Sequence, residues 1–207
     1  FEDNFDERYT LVGTQFTIGS NRINFALKRD GADHEVYKDL TTVSDTAWVL
    51  RMHLNFTGNT SADAYDSQTF FGLSSSNGTY TVAQDAIGLS IKWGNDDNYK
   101  ASNPDGTGID DETNSQTFST AFTSTDEYWV EIIRLSSTSF TIELFNASSY
   151  APSASVEKET VTRSSLSNIS GLRYLQGKMR NSSSRTEIQN GYLDDIKFYN
   201  GVTTASG

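Results

Sequence analysis

Apolar and polar residues alternate along this chain in short runs, and those runs set the secondary structure expected of it. Trp48, Leu50, Met52, Leu54 and Phe56 fall on one face of an extended segment, with Val49, Arg51, His53 and Asn55 on the other. Ile87, Leu89, Ile91 and Trp93 repeat the pattern opposite Gly88, Ser90 and Lys92. A period of two marks a half-buried strand. Residues 128–135 are apolar on both faces, as in a central strand, and a turn at 136–139 follows. Phe140, Ile142 and Leu144 then alternate with Thr141, Glu143 and Phe145, so the two segments form a hairpin. Weaker runs predict strands at 15–18, 23–27, 35–39, 69–73, 117–121, 157–162, 172–176 and 193–199. Strands at this spacing, with no helical period of useful length, predict an all-β fold: a two-sheet antiparallel β-sandwich. The longest stretch without pattern, 94–115, is rich in Asn, Asp and Gly and reads as a long loop.

Composition narrows the picture. At 207 residues the chain matches one β-sandwich domain, and the apolar stripes run from Phe16 to Phe198 without a linker, so residues 1–207 are expected to form a single domain. Ser and Thr make up 51 positions, which suits strands and turns better than helices. The 12 Phe, 10 Tyr and 3 Trp are too many for a disordered chain. The net charge of −11 argues against nucleic acid and anionic membranes, both of which demand a basic footprint. No apolar run approaches the roughly 20 residues of a membrane span, so membrane insertion is not expected. The absence of Cys removes thiol nucleophiles, thiolate metal sites and disulfides together. The chain opens at Phe1 without Met, which is read as a processed protein or a piece of a larger parent protein, and a homo-oligomer stays open.

Near the C-terminus the run Gly191-Tyr-Leu-Asp-Asp-Ile-Lys-Phe-Tyr-Asn-Gly201 resembles the closing strand of the concanavalin A-like lectin/glucanase superfamily, above all its laminin-G-like jelly-roll modules. The opening Phe1-Glu-Asp-Asn-Phe-Asp6 is similar to their aromatic and acidic start. The runs Ser44-Asp-Thr-Ala-Trp-Val-Leu50, Asp85-Ala-Ile-Gly-Leu89, Tyr128-Trp-Val-Glu-Ile132 and Gly171-Leu-Arg-Tyr174 fit the same strand pattern. The resemblance implies an extracellular or cell-surface recognition module that binds a glycan or a surface protein, often with calcium. Two other readings stay open: a structural or adhesive subunit of a surface layer, filament or virion spike, and a polysaccharide lyase or glycoside hydrolase.

Candidate chemistry follows from that frame. Asp3 and Asp6 near one terminus and Asp194 and Asp195 near the other are carboxylates that a jelly roll brings close together. They are the expected Ca2+ ligands, since calcium takes six to eight hard oxygens. By alternation Asp194 shares a face with Ile196 and Phe198 and points to the core edge. The alternative is that Asp194 accepts backbone amides and the other carboxylates are solvated. Arg51 and His53, on the face opposite the Trp48 stripe, together with Trp93, Tyr99 and Arg134, are the expected ligand-binding residues of a sugar groove. Trp93 also continues a core stripe, so a core role competes with stacking on a sugar.

Catalytic signatures are missing. There is no Glu-x-Asp-x-x-Glu, no Gln-Ile-His, no Gly-x-Ser-x-Gly and no phosphate-binding glycine loop. Glu131 and Glu143 on neighbouring hairpin strands are weak evidence for a glycosidase pair. An enzyme is therefore not expected. Six Asn-x-Ser/Thr sequons, at Asn55, Asn59, Asn77, Asn146, Asn168 and Asn181, permit glycosylation without showing it.

Overall fold

The computed structural model describes residues 9–59, 67–78, 83–93, 97–107, 114–179 and 187–205. Among them fourteen strands form two seven-stranded sheets, as the alternation predicts. The first sheet runs in the order β12 (Ser155–Thr162), β11 (Ser139–Phe145), β10 (Glu127–Ser136), β5 (Trp48–Asn59), β14 (Gln189–Asn200), β3 (Arg22–Leu27) and β2 (Phe16–Gly19). The second runs β1 (Thr10–Val12), β4 (His34–Asp39), β13 (Tyr174–Met179), β6 (Ser67–Ser74), β7 (Ala86–Trp93), β8 (Asn98–Ser102) and β9 (Ser115–Ala121). Neighbours such as β5 and β10 pair antiparallel, yet they are far apart in sequence, so the chain crosses repeatedly between sheets in the manner of a jelly roll. Among the described residues no helix is long and apolar enough to cross a membrane.

The core lies between the sheets, and register decides what enters it. On the first sheet Leu50 stands across from Ile132, and Ile132 across from Ile142. On the second, Phe71 faces Leu89 and Leu89 faces Ala101. Residues directly opposite on paired strands share a face, so these rows point inward together. Phe25 of the first sheet packs 5.8 Å from Phe71 of the second and 5.5 Å from Phe56, which joins the two layers through one ring cluster.

Three elements depart from the expected pattern. β8 lies inside the stretch read as one long loop, because only Tyr99 and Ala101 carry its inward face and its other positions are polar. β1 shows no alternation because it is an exposed edge strand. β14 carries a bulge: Asp194 pairs with His53 but Lys197 pairs with Arg51, so three steps on β14 match two on β5. Asp195 absorbs the extra residue at φ +48°, the left-handed region in which Asp is tolerated better than most residues.

Candidate functional site

The outer face of the first sheet carries Arg51 and His53, as alternation requires. Both are engaged there. Arg51 Nε donates to Glu131 Oε2 at 2.7 Å, and its guanidinium lies 4.2 Å from the centre of the Tyr150 ring. His53 stacks on Trp129 with ring centres 4.4 Å apart and planes 10° from parallel, and its Nε2 is 2.9 Å from Glu127 Oε1. Tyr192 meets the other side of His53 edge-on and lies under Arg22. Glu131 and Glu143 stand directly opposite each other, but each is bound to a cation, Arg51 and Lys158 respectively. This face is a layer of paired charges and stacked rings.

Trp93, Tyr99 and Arg134 are corrected from groove residues to core residues. Trp93 and Tyr99 are 1 % and 0 % exposed within the main apolar cluster. The Tyr99 hydroxyl donates to Asp126 Oδ2 at 2.7 Å, and burial pushes its pKa far above the ordinary phenol value. Arg134 continues the inward row of Val130 and Ile132, and its guanidinium donates to the carbonyls of Asp45, Ser137 and Leu166. It closes one end of the core by tying these three carbonyls together, the Leu166 bond being fully buried.

Of the expected metal ligands, Asp194 and Asp195 are among the described residues. Asp3 and Asp6 lie outside the described residues. Asp194 does not share a face with Ile196 and Phe198, because the bulge at Asp195 shifts the alternation and turns Asp194 outward beside His53. Its Oδ1 accepts the N–H of Asp195 at 2.7 Å, and Asp195 pairs with Lys197 at 3.2 Å. Asp194 and Asp195 by themselves, one of them bound to an ammonium, give fewer oxygens than the six to eight calcium takes, and the other two expected ligands lie outside the described residues. Among the described residues no group of three or more His, Cys, Asp or Glu could hold a metal ion.

The outer face of the second sheet shows what the sequence hides. Directly opposed residues form a row, Glu35, Lys178, Phe70, Ser90 and Lys100, running across β4, β13, β6, β7 and β8. Every one of them is buried. Lys178 is fully enclosed, and its ammonium donates to the Ser76 and Gly78 carbonyls and to Gln84 Oε1. Desolvation pushes the Glu35 carboxyl up and the Lys178 amine down, and the attraction between the two opposes both shifts. Phe70 lies flat over Gly72 and Gly88, where an added Cβ would come within 2.9 Å and 2.5 Å of its ring. Alternation gives polar residues on this face; the Ser76, Gly78 and Gln84 groups that enclose Lys178 are about 100 positions away, so its burial leaves no local trace.

An accessible concavity among the described residues lies at the end of the sandwich where β4 and β14 run out. A cleft of about 550 Å³ lies between residues 38–42 and residues 198–200 with Val202. That size falls in the range of small-ligand sites. Leu40, Phe198 and Val202 give it apolar surface, while Asp39, Thr41, Thr42 and Asn200 give polar groups. The wall at 39–42 is tightly built. Asp39 Oδ1 accepts the Thr41 N–H and Arg173 Nε, both at 2.7 Å, and Asp39 Oδ2 accepts Arg173 Nη2. Arg173 first, and the Thr41 N–H second, hold the Asp39 carboxyl below its usual range. Asn200 ties the opposite wall, donating to the Thr42 carbonyl at 3.1 Å and accepting the Ser44 N–H at 2.8 Å. Thr41 adopts φ +65°, which is strained for a β-branched residue. Strain of this kind concentrates at ligand clamps.

No protein-family model matches the sequence, and no curated protein matches it. Solved structures match over nearly the whole chain. The exoplasmic/lumenal domain of VIP36 in its Ca2+/Man3GlcNAc-bound form aligns with a TM-score of 0.63 at 8 % identity, over 96 % of this chain and 86 % of that one. The CBM2 module of the evolved Dit of Lactobacillus casei BL23 phage J-1 aligns at 0.55 and 13 % identity, over 98 % and 94 %. Apo Crh5 transglycosylase aligns at 0.61 and 9 % identity, over 98 % and 85 %. The sandwich is thus a concanavalin A-like jelly roll. At these identities the likeness establishes the fold alone.

Proposed function

We propose that this chain is a carbohydrate-binding module that takes a sugar in the end cleft. The observation that carries the reading is the cleft's own make-up. Apolar Leu40, Phe198 and Val202 offer a surface for the C–H face of a sugar ring, and Asp39, Thr41 and Thr42 place polar groups beside it. Thr41 is held in a strained conformation at that same wall. Two of the aligned structures support the reading: the VIP36 domain was solved bound to Ca2+ and Man3GlcNAc, and the phage structure is of a CBM2 module. The third is a transglycosylase, so product assays belong in the test.

The acidic, Ser/Thr-rich composition supports a setting outside the cell. Calcium enters the reading through the Ca2+-bound VIP36 domain. We take the chain as one module, with a glycan or a glycosylated surface protein as its partner. The test is binding of the full chain to a broad glycan panel, beside Val202→Asp and Leu40→Asp variants checked for folding by circular dichroism. Binding that both variants abolish supports the cleft. Binding that neither variant changes refutes it, and new reducing ends or unsaturated products from a polysaccharide would make the protein an enzyme. Absence of binding to any glycan favours a structural or adhesive subunit.

A further inference from the structure

The buried row on the second sheet holds reactive groups that the end cleft does not use. Lys178 is wholly enclosed, and its Nζ meets three oxygens: the Ser76 and Gly78 carbonyls and Gln84 Oε1, the last at 3.1 Å. Gln84 is buried as well. Glu35, also buried, stands directly across from Lys178 on the neighbouring strand β4. Residues opposed in this way bring their Cβ atoms to about 5 Å, so the carboxyl and the amine are neighbours. An amine, a carboxamide and a carboxyl are packed together inside the protein.

The three oxygens around Nζ are not equivalent. A charged ammonium has three N–H donors and uses all of them, whereas a neutral amine has two and a lone pair. The two backbone carbonyls, of Ser76 and Gly78, match the two donors of the neutral form. Its lone pair is then left for the third neighbour, the Gln84 carboxamide. That group has an electrophilic Cδ and a nitrogen that can leave as ammonia. Burial pushes the Lys178 amine down and the Glu35 carboxyl up, so a proton passed from one to the other discharges both. A lysine stripped of water and of its charge is a competent nucleophile. Held contact replaces a chance encounter, and enclosure keeps water from competing for the carbonyl.

We propose that Lys178 and Gln84 join in the folded protein as an isopeptide cross-link, formed without an external enzyme and with Glu35 relaying the protons. Glu35 first takes one proton from the ammonium, which frees the lone pair. Nζ then attacks Gln84 Cδ; the Nζ–Cδ bond forms and the Cδ–Nε2 bond breaks. Glu35 gives its proton to the departing nitrogen and receives another from Nζ, and ammonia leaves. The remaining proton follows it out as ammonium, so Glu35 ends as a carboxylate. No oxidant, reductant or second substrate enters. The bond ties β13 to the segment that leads into β7 and closes residues 84–178 into one loop, which restricts the unfolded chain as a disulfide does. None of this depends on sugar binding, and its failure leaves the carbohydrate-binding reading untouched.

The test is the intact mass of the purified full chain. The protein is expected to be lighter than its sequence mass by one ammonia. A tryptic digest should carry fragments 52–92 and 174–180 as one joined species, because Lys178 is no longer a cleavage site. Lys178→Met and Gln84→Leu, each checked for folding by circular dichroism, should keep their full mass. Glu35→Gln should retain uncross-linked protein where the unmodified chain is fully converted, since a positioned acid–base group speeds such a step by about 100-fold or more. An unmodified chain that keeps its full mass through prolonged incubation in the folded state overturns the inference, whatever the variants do. So does an ammonia loss that fragment sequencing places at other residues. A cross-link that forms as completely in Glu35→Gln overturns the proton relay.

Discussion

Glu157 on β12 accepts the Ser119 N–H of β9 at 2.7 Å, and so joins the margin of one sheet to the margin of the other. Its second oxygen accepts the Thr120 N–H at 2.7 Å. β9 is an edge strand, and unpaired edge amides invite pairing with another chain. Glu157 covers two of them. Burial would push its carboxyl up, but the bonds from Thr120 and Ser119 together outweigh that and hold it below its ordinary value near 4.5.

The sign of the pH effect follows. A carboxyl whose pKa is lowered on folding contributes stability above its unfolded value, and that contribution is lost as pH falls through the folded value. Glu157→Gln should therefore lower Tm at pH 7 by the equivalent of about 0.5–1 kcal/mol, a range suited to an exposed ionic contact. At pH 3 the difference should largely vanish. Thermal melts of both proteins at the two pH values check it, and an equal deficit at both would remove the ionic role.

Thr41 gives a second expectation. A left-handed conformation costs an L-residue about 1–2 kcal/mol, whereas glycine adopts it freely at some cost in unfolded-state entropy. Thr41→Gly should thus leave Tm unchanged or slightly raised, even though Thr41 loses its bond to the Leu40 carbonyl. Thr42→Gly, one position on and without a positive φ, should lower stability by about 0.5–1 kcal/mol. Equal losses at both positions would show that Thr41 is unstrained in solution.

A third expectation separates stability from binding. Trp93→Ala opens a large void in the core and should cost about 3–5 kcal/mol. Arg134→Met strips the charged donor from three carbonyls and should cost about 2–4 kcal/mol. Tyr99→Phe leaves Asp126 still holding Thr123 and should cost about 1 kcal/mol. None of the three should change glycan affinity at temperatures where the variant is folded. Denaturant melts paired with binding curves decide this, and a selective loss of binding at Trp93 would return it to the ligand.

The stripes that announce the sandwich were readable because one face of each strand is apolar. Trp48 through Phe56 and the hairpin that joins β10 to β11 appear where the alternation places them. Arg134 sits at an inward position by parity, yet its partners at Asp45 and Leu166 come from a loop and a short 3-10 turn distant in sequence, so its capping role had no local signal. The end cleft joins residues about 160 positions apart, and only the pairing of the sheets brings Thr42 to Asn200. Asp194 failed for a different reason. One inserted residue inverts every face beyond it, and a bulge carried by Asp in place of Gly gives no warning in the sequence.

That inversion leads to the last expectation, which concerns calcium. Asp194 points outward beside His53 and accepts the Asp195 N–H, and Asp195 is paired with Lys197. A cation seated there would have to break the Lys197 pair, and among the described residues these two carboxylates alone fall short of a calcium shell. A metal that binds only the folded state raises stability by RT ln(1 + [L]/Kd), so its loss shows directly as a fall in Tm. If EDTA lowers the Tm of the full chain, Asp194→Asn and Asp195→Asn should each show the same fall as the unmodified protein, because neither residue supplies the ion. Asp195→Gly should be tolerated as well, since φ +48° suits glycine, whereas Asp195→Val should unsettle the bulge and lower Tm by about 1–2 kcal/mol. An EDTA effect that disappears in Asp194→Asn would place calcium at β14 after all and would require Lys197 to give up its pair on binding.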